Sequence, residues 1–432
     1  MRKRLLLLGL LAALPVWADP AVSPSATPTT TTPTTPFDAW LTVFRADAQT
    51  QGISPATLDA ALTGVQPVTR AVELDRRQPE FLQTFADYLG RRVTPTQIAR
   101  GQAVLAEHAA LFDAVEAQSG VPKTVLAAFW GLETNYGRTL GSFNIPAALA
   151  TLAWDGRRSA FFRAQLLDAL RIIDAGHIAA PDMKGSWAGA MGQMQFMPST
   201  FRAYAIDGDG DGRIDLWRSL PDAMHSAGRY LRAAGGRAGE PAAIEVRLPE
   251  NFDWRLARLS HRMAPATWAQ RGVQPADGGA WPRVGGPAAI VLPQGWKGPA
   301  FMVFDNFDVV MRWNRSVNYA LSVALLSQAL AGGGALASGP GEAGALSVAQ
   351  VQTMQRLLNE LGFDTGTPDG LVGPRTQSAL RRFQSAHGLP ADGHPAPSVL
   401  ARLEIVHAEA ASADRFTAVD APPASDQAIM QQ

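Results

Sequence analysis

Glu133 lies in the run Phe129-Trp130-Gly131-Leu132-Glu133-Thr134-Asn135-Tyr136-Gly137. Leu126, Phe129, Trp130 and Glu133 fall at i, i+3, i+4 and i+7, so a helix over this stretch puts the carboxyl on its apolar face. A carboxylate there loses hydration unless it is protonated or paired, and burial raises a carboxyl pKa. A carboxyl that stays protonated near neutral pH can deliver a proton to a leaving group. The same spacing fits a glutamate that snorkels from a core helix into water, and spacing does not choose between the two. Gly120 and Pro122 mark the start of this helix and Gly137 its stop.

A second candidate is Asp207-Gly208-Asp209-Gly210-Asp211-Gly212-Arg213-Ile214-Asp215. Carboxylates fall at positions 1, 3 and 5 of a cation loop, with Gly212 at position 6, where a sharp turn is needed. Arg213 at position 7 offers its backbone carbonyl, and Asp215 stands at position 9. Hard oxygen ligands favour calcium in a structural role. Position 12 is Arg218 in place of the bidentate glutamate, so a solvated acidic turn is the competing reading.

These groups need elements to hold them. Arg2-Lys3-Arg4, the apolar run from Leu5 to Leu14 and Val16-Trp17-Ala18 read as a secretory leader cut after Ala18. Residues 19–36 are rich in Pro and Thr, a flexible spacer. Helical patterns cover 37–50, 54–62, 76–89, 95–118, the Glu133 stretch, 159–175 and 317–330, with another helix opening at Pro198. Residues 239–298 change to Pro, Gly and alternating apolar residues, with short strands expected at 243–248 and 289–292. Residues 332–345 read as a Gly/Ala-rich linker, 346–403 as a compact module, and 404–432 as a polar, disordered tail.

The chain of 432 residues is long enough for two or three domains. Its formal net charge is zero, and about −3 once the leader is lost, which gives no electrostatic case for nucleic acid. With no cysteine, disulfides, thiol catalysis, Cys-ligated zinc and a cysteine-linked lipid are excluded. No stretch beyond the leader is long and apolar enough for a transmembrane helix. A soluble, exported, non-lipidated periplasmic protein is expected.

The Glu133 segment, the block from Ser186 to Pro198 and Trp313-Asn314-Arg315-Ser316, in this order, together resemble the lytic murein transglycosylase B family over about 37–331. The resemblance implies a mainly α fold, an α+β lysozyme-like catalytic domain with a small β-containing part. It implies that Glu133 is the sole catalytic carboxyl, cutting peptidoglycan glycan strands between MurNAc and GlcNAc and leaving 1,6-anhydro-MurNAc ends. Glu133 would be acid first and base second, with the substrate's own 2-acetamido oxygen attacking C1. No cofactor is expected for catalysis. Ser186, Gln195 and Asn314 match positions lining the cleft, and Tyr204, Tyr230 and Tyr319 match aromatic positions suited to stacking on sugars. The resemblance also closes the acidic loop at Asp222, giving Asp207, Asp209, Asp211, Arg213 and Asp222 as the calcium set. Residues 346–403, through Leu361-Gly362-Phe363, Asp369-Gly370, Gly373-Pro374-Arg375-Thr376 and Leu389-Pro390-Ala391-Asp392-Gly393, resemble the small three-helix peptidoglycan-binding domain. Peptidoglycan glycan strands are the expected partner, with proteins of cell-wall synthesis or division as further candidates that the sequence does not identify. A muramidase that lets water take the intermediate, and a noncatalytic wall-binding scaffold, remain alternatives.

Overall fold

The computed structural model describes residues 35–76 and 83–419, with side chains to residue 412. The expected leader, most of the spacer and the end of the expected tail lie outside the described residues. The first helices form where caps and stripes dictate. Helix α1 (Phe37–Thr50) buries Phe37, Leu41, Phe44 and Ala48, one apolar stripe. Helix α2 (Pro55–Leu62) starts where the Ser54 hydroxyl accepts the Thr57 N–H, with proline in the first turn.

Two expected helices come out differently. In place of one helix over 76–89 there are α3 (Thr69–Arg76) and α4 (Phe85–Arg92), and 77–82 between them lie outside the described residues. Thr84 starts α4 afresh by capping the Asp87 N–H. The helix expected over 95–118 is two, α5 (Pro95–Glu107) and α6 (Ala109–Ser119), parted at His108, where φ −110° and ψ 30° leave the helical range.

Helix α7 (Lys123–Thr134) carries Glu133 and is buried from Leu126 to Thr134. It packs against α14 (Val317–Leu330) and α5. α6 and α11 (Leu220–Ala233) also touch it, and the other helices of this part are α8 (Ile145–Asp155), α9 (Ser159–Asp174), α10 (Pro198–Tyr204), α12 (Pro265–Gln270) and α13 (Asp305–Trp313). A short ladder joins β1 (Phe143–Asn144) to β2 (Lys184–Gly185).

The expected strand region forms an antiparallel sheet in the order β4-β6-β7-β3-β5, from β3 (Ala243–Arg247), β4 (Arg262–Met263), β5 (Gln274–Pro275), β6 (Ala288–Val291) and β7 (Ala300–Val303). β6 and β7 are buried on every residue, because the sheet lies between two cores. Ala289, Val291, Phe301 and Val303 join the helical core. Their alternates Ala288, Ile290, Ala300 and Met302 join a smaller core around Trp268, as the two-residue side-chain period requires.

The C-terminal module is α15 (Val348–Glu360), α16 (Pro374–Ala386) and α17 (Pro397–Val419), around Met354, Leu358, Leu380, Phe383 and Leu403. The tail expected to be disordered from 404 is helical as far as Val419: Val406 packs into the module core, and apolar burial carries the helix past the polar composition. The segment read as a flexible linker is held down along its length. Glu245 accepts the N–H groups of Ala337 and Ser338 (2.8 Å each), and Gln294 Nε2 donates to the Glu342 carbonyl (3.0 Å). The Glu342 carboxylate in turn accepts the N–H (2.9 Å) and hydroxyl (2.7 Å) of Ser398 in the module.

Candidate active site

Glu133 sits one residue before the C-terminus of α7 and is 3 % exposed. It does not snorkel. Its Oε1 accepts hydrogen bonds from the Trp313 indole N–H (2.8 Å) and the Tyr319 hydroxyl (2.5 Å). Trp313 ends α13 and Tyr319 lies in the first turn of α14, so the corner between those helices aims both donors at one oxygen. Asn314 builds the corner. Its Oδ1 accepts the Ser316 N–H (3.2 Å), and Ser316 caps α14 by accepting the Tyr319 N–H (3.2 Å). The Asn314 side chain is 1 % exposed, and its Nδ2 has no hydrogen-bond partner among the described residues. A buried amide donor without a protein acceptor is costly and suits a ligand carbonyl.

The end of α7 is a tight left-handed corner. Asn135 (φ 53°), Tyr136 (φ 57°) and Gly137 (φ 77°) follow one another, a conformation that costs bulky residues energy. Tyr136 folds back over the helix, and its hydroxyl donates to the Gln97 carbonyl (3.0 Å). Gly131 makes the room, because a Cβ there would stand 2.6 Å from the Tyr136 ring. Burial raises the Tyr136 pKa.

Ser186 and Gln195 belong to a turn that closes on itself. Met191 and Phe196 exchange both backbone hydrogen bonds (2.9 Å each). The Ser186 hydroxyl accepts the Ala190 N–H (2.9 Å). Gln195 takes φ 49° and spends its amide N–H groups on the carbonyls of Leu140 and Gly192 (3.1 Å each). Both side chains therefore shape the turn. Gln193 fastens that turn to the acid's helix: its Oε1 accepts the Trp130 indole N–H (2.9 Å), and its carbonyl accepts the Thr134 hydroxyl (2.8 Å). The sequence reading passed over Gln193, since nothing in its neighbours marks a staple. Trp313 was visible beside Asn314, but nothing in the sequence marks its indole as a donor to Glu133.

The three tyrosines part company. Tyr319 is fully buried and has no ring face for a sugar. Its role is the hydroxyl on Glu133, and burial, with the Glu133 charge and hydrogen bond, raises its pKa well above the usual phenol value. Tyr230 is also buried, edge-on to Trp313 (5.1 Å between centroids), and burial pushes its pKa up to about 12. Tyr204 alone is half-buried, edge-on to Tyr230 (5.0 Å). A separate cavity of about 280 Å³ opens near Pro122, Val125 and Phe129 toward the start of α7, and Glu133 is not among its walls.

The acidic loop brings carboxylate oxygens of Asp207, Asp209 and Asp211 within 4.8 Å of one another, all exposed. Gly212 takes φ 88°, the turn expected at position 6. Asp207 accepts the N–H groups of Gly210 (2.6 Å), Asp211 (3.2 Å) and Gly212 (2.8 Å), and these bonds lower its pKa. Asp222 does not join that cluster. It is 1 % exposed, and its two oxygens accept the N–H groups of Gly208 and Asp215 (2.7 Å each), so it pins the loop to α11. The Arg213 guanidinium turns to the His177 carbonyl (3.3 Å), which leaves only its backbone for a cation. Arg218 pairs with Asp182 (3.0 Å) and Asp215 (3.6 Å), away from the cluster.

A helical domain with one buried acid between an indole and a phenol, followed by a three-helix module, defines a class. Residues 36–328 match the transglycosylase SLT domain, and 347–403 match the putative peptidoglycan-binding domain. The chain belongs to the transglycosylase SLT family of lytic transglycosylases and carries a peptidoglycan-binding domain. It is similar to the membrane-bound lytic murein transglycosylase B of Escherichia coli, 30 % identical over 250 residues, which make up 56 % of this chain and 66 % of that protein. The chain thus spans just under two thirds of that relative's length. Among solved structures it is similar to SltB3 from Pseudomonas aeruginosa in complex with NAG-anhNAM-pentapeptide. The TM-score is 0.82 and the identity 44 %, over 85 % of this chain and 99 % of that one. It is also similar to the Escherichia coli lytic transglycosylase Slt35 in complex with calcium, with TM-score 0.59 and 26 % identity, over 69 % of this chain and 93 % of that one. Among the described residues no helix is long and apolar enough to cross a membrane.

Proposed function

We propose that the chain cleaves the β-1,4 bond between MurNAc and GlcNAc in peptidoglycan, with Glu133 as the only carboxyl that moves a proton. Glu133 gives its proton to the departing GlcNAc oxygen as the MurNAc acetamido oxygen closes on C1. The Glu133 carboxylate then takes the proton of the MurNAc 6-hydroxyl, whose oxygen displaces the acetamido oxygen from C1. The 1,6-anhydro ring forms, no water is consumed, and the acid is restored. The observation that carries this reading is the buried Glu133 Oε1 held by the Trp313 and Tyr319 donors. The orphaned Asn314 amide supports it as the group that orients the acetamido carbonyl, and Tyr204 is the tyrosine with a face to offer. That SltB3 was crystallised with NAG-anhNAM-pentapeptide and with NAG-NAM-pentapeptide adds support from a relative.

Mass spectrometry of digested sacculi tests the chemistry. Anhydro ends are expected. Reducing ends would move the reading to a muramidase, and intact strands would leave a binding scaffold.

The acidic loop fits a calcium ion by donor chemistry. Asp207, Asp209 and Asp211, with the Arg213 carbonyl, would hold it, and its effect would be to neutralise charge and stiffen the turn before α11. Added calcium should raise the melting temperature by a few degrees, and the rise should vanish in Asp209→Asn. An unchanged melting curve with calcium and with chelator removes the ion from the account. For this reaction the expected setting is the periplasm, reached through the leader read over 1–18 and without a lipid. Proteins of cell-wall synthesis or division are its expected partners.

A further inference from the structure

Trp313 and Tyr319 fix the Glu133 carboxyl itself. The helix turn that carries it is held by Gln193, a half-buried residue whose four polar atoms are all engaged. Two of them face α7. Gln193 Oε1 accepts the Trp130 indole N–H (2.9 Å), and the Gln193 carbonyl accepts the Thr134 hydroxyl (2.8 Å). Trp130 and Thr134 stand before and after Glu133 in the chain, so the two bonds bracket the acid. Thr134 is fully buried, and its hydroxyl also accepts the Gly137 N–H (3.0 Å), which ties the left-handed corner to the same residue. Gly137 comes so close that a Cβ there would stand 2.5 Å from Gln193 Oε1.

The other two face the segment that leaves the acidic loop. The Gln193 N–H donates to the Leu216 carbonyl (2.8 Å), and Nε2 donates to the Trp217 carbonyl (3.1 Å). That segment is itself fastened. Trp217 gives its N–H to Asp215 Oδ1 (3.0 Å) and its indole N–H to the Lys184 carbonyl (2.7 Å), and the Asp215 N–H goes to the buried Asp222 (2.7 Å). Hydrogen bonds and short stretches of chain thus lead from Asp222 to the two residues that bracket Glu133. One neutral hydrogen bond adds little to the stability of a fold of this size. Beside a reacting carboxyl it has more leverage, because a displacement on the order of 1 Å can cost roughly 100-fold in rate.

We infer that Gln193 is a positioning residue for the reaction: it sets the last turn of α7, and so the aim of Glu133, against the segment that leaves the acidic loop. The inference rests on Glu133 being the acid. It gives the acidic loop a route to turnover that runs through protein hydrogen bonds alone.

Turnover of short soluble strands by the full chain is measured per folded molecule for two variants. Gln193→Met keeps the length of the side chain and removes both of its hydrogen bonds; Trp130→Phe removes the Oε1 partner from the other end. Each should lower kcat about tenfold, with KM changed by less than about twofold. The double variant should lose little more than either single one, because the two delete one shared bond. A staple that serves the fold alone predicts a lower melting temperature and an unchanged kcat for the folded molecules. That result overturns the inference, and so does a loss confined to KM. Asp222→Asn tests the route from the loop, and Trp217→Phe, which frees the segment from Lys184, repeats that arm. Either should lower kcat, and the loss combined with Gln193→Met should be smaller than the product of the single losses. Wild-type kcat in both, or losses that multiply, overturns the route. Glu133→Gln is run alongside. If it abolishes turnover while Gln193→Met and Trp130→Phe turn over normally, the positioning role is gone and the acid stands. If Glu133→Gln turns over normally, the acid falls and the positioning role falls with it.

Discussion

Glu133 and Asp75 are both carboxylates inside the helical part, 3 % and 1 % exposed, and they are treated in opposite ways. Asp75 is clamped by two guanidiniums, Arg157 (2.9 Å) and Arg158. Glu133 takes its hydrogen bonds from an indole and a phenol. A guanidinium is a permanent charge, so Asp75 is of use there only when ionised. Indole and phenol are neutral donors, and they accommodate a carboxyl before and after it has lost its proton. Burial alone therefore does not single out the proposed acid; the two neutral donors on its Oε1 are what set it apart from Asp75.

Removing each acid should separate the two roles. Glu133→Gln should lower turnover by roughly 10³-fold or more with an ordinary melting curve and retained binding to sacculi. Turnover near wild type would end the proposed mechanism. Asp75→Asn should do the reverse. It strands two guanidiniums that are partly solvated, so the loss is about 2–4 kcal/mol, read as a drop on the order of 5–10 °C in melting temperature, with kcat of the folded fraction intact. If Asp75→Asn lost turnover without losing stability, the contrast between the two sites would be gone.

Tyr319→Phe sharpens the contrast from the donor side. It keeps the ring and deletes one hydrogen bond to Glu133, which should cost about tenfold in kcat with KM and fold unchanged. A loss confined to KM would recast Tyr319 as a substrate contact.

His394 supplies the smallest effect, and it concerns a group held without charge. It packs against Gly295, with Asp392 and Glu342 as the ionisable groups facing it, and burial lowers its pKa. The unfolded imidazole takes up a proton near its ordinary value of about 6.5, while the folded one resists until lower pH. Stability is full above about 6.5 and falls as the pH drops from there toward the folded value. The melting temperature should decline between pH 7 and 5, and the decline should flatten in His394→Asn. An equal decline in both proteins would assign it to other groups.

Much of this was legible in the chain. Helix α14 falls on the predicted residues 317–330, because its apolar pattern and the Ser316 cap agree. The placement of Glu133 on an apolar face was readable from i, i+3, i+4 and i+7. Its partners were not, since Trp313 and Tyr319 are 180 and 186 residues away and only tertiary packing brings them to one oxygen. The resemblance matches Tyr230 and Tyr319 to stacking positions, and a matched position says nothing of which face of the ring is covered. The resemblance gives Asp222 as the ligand that closes the loop, yet two backbone N–H groups claim its oxygens first. The linker misled for the same reason, since glycine content reports what a segment can do and not which side chains elsewhere grip it.

Those grips have an outcome for how the enzyme travels on its polymer. Glu245 on one side and Gln294 with Ser398 on the other hold the connecting segment like two hands on a rail. The wall-binding module is then no leash on which the catalytic part roams; it is a spacer of set length. The interval between where a strand is gripped and where it is cut becomes a property of the fold, and lengthening the connection would change the size of the fragments released before it changed the speed of any single cut.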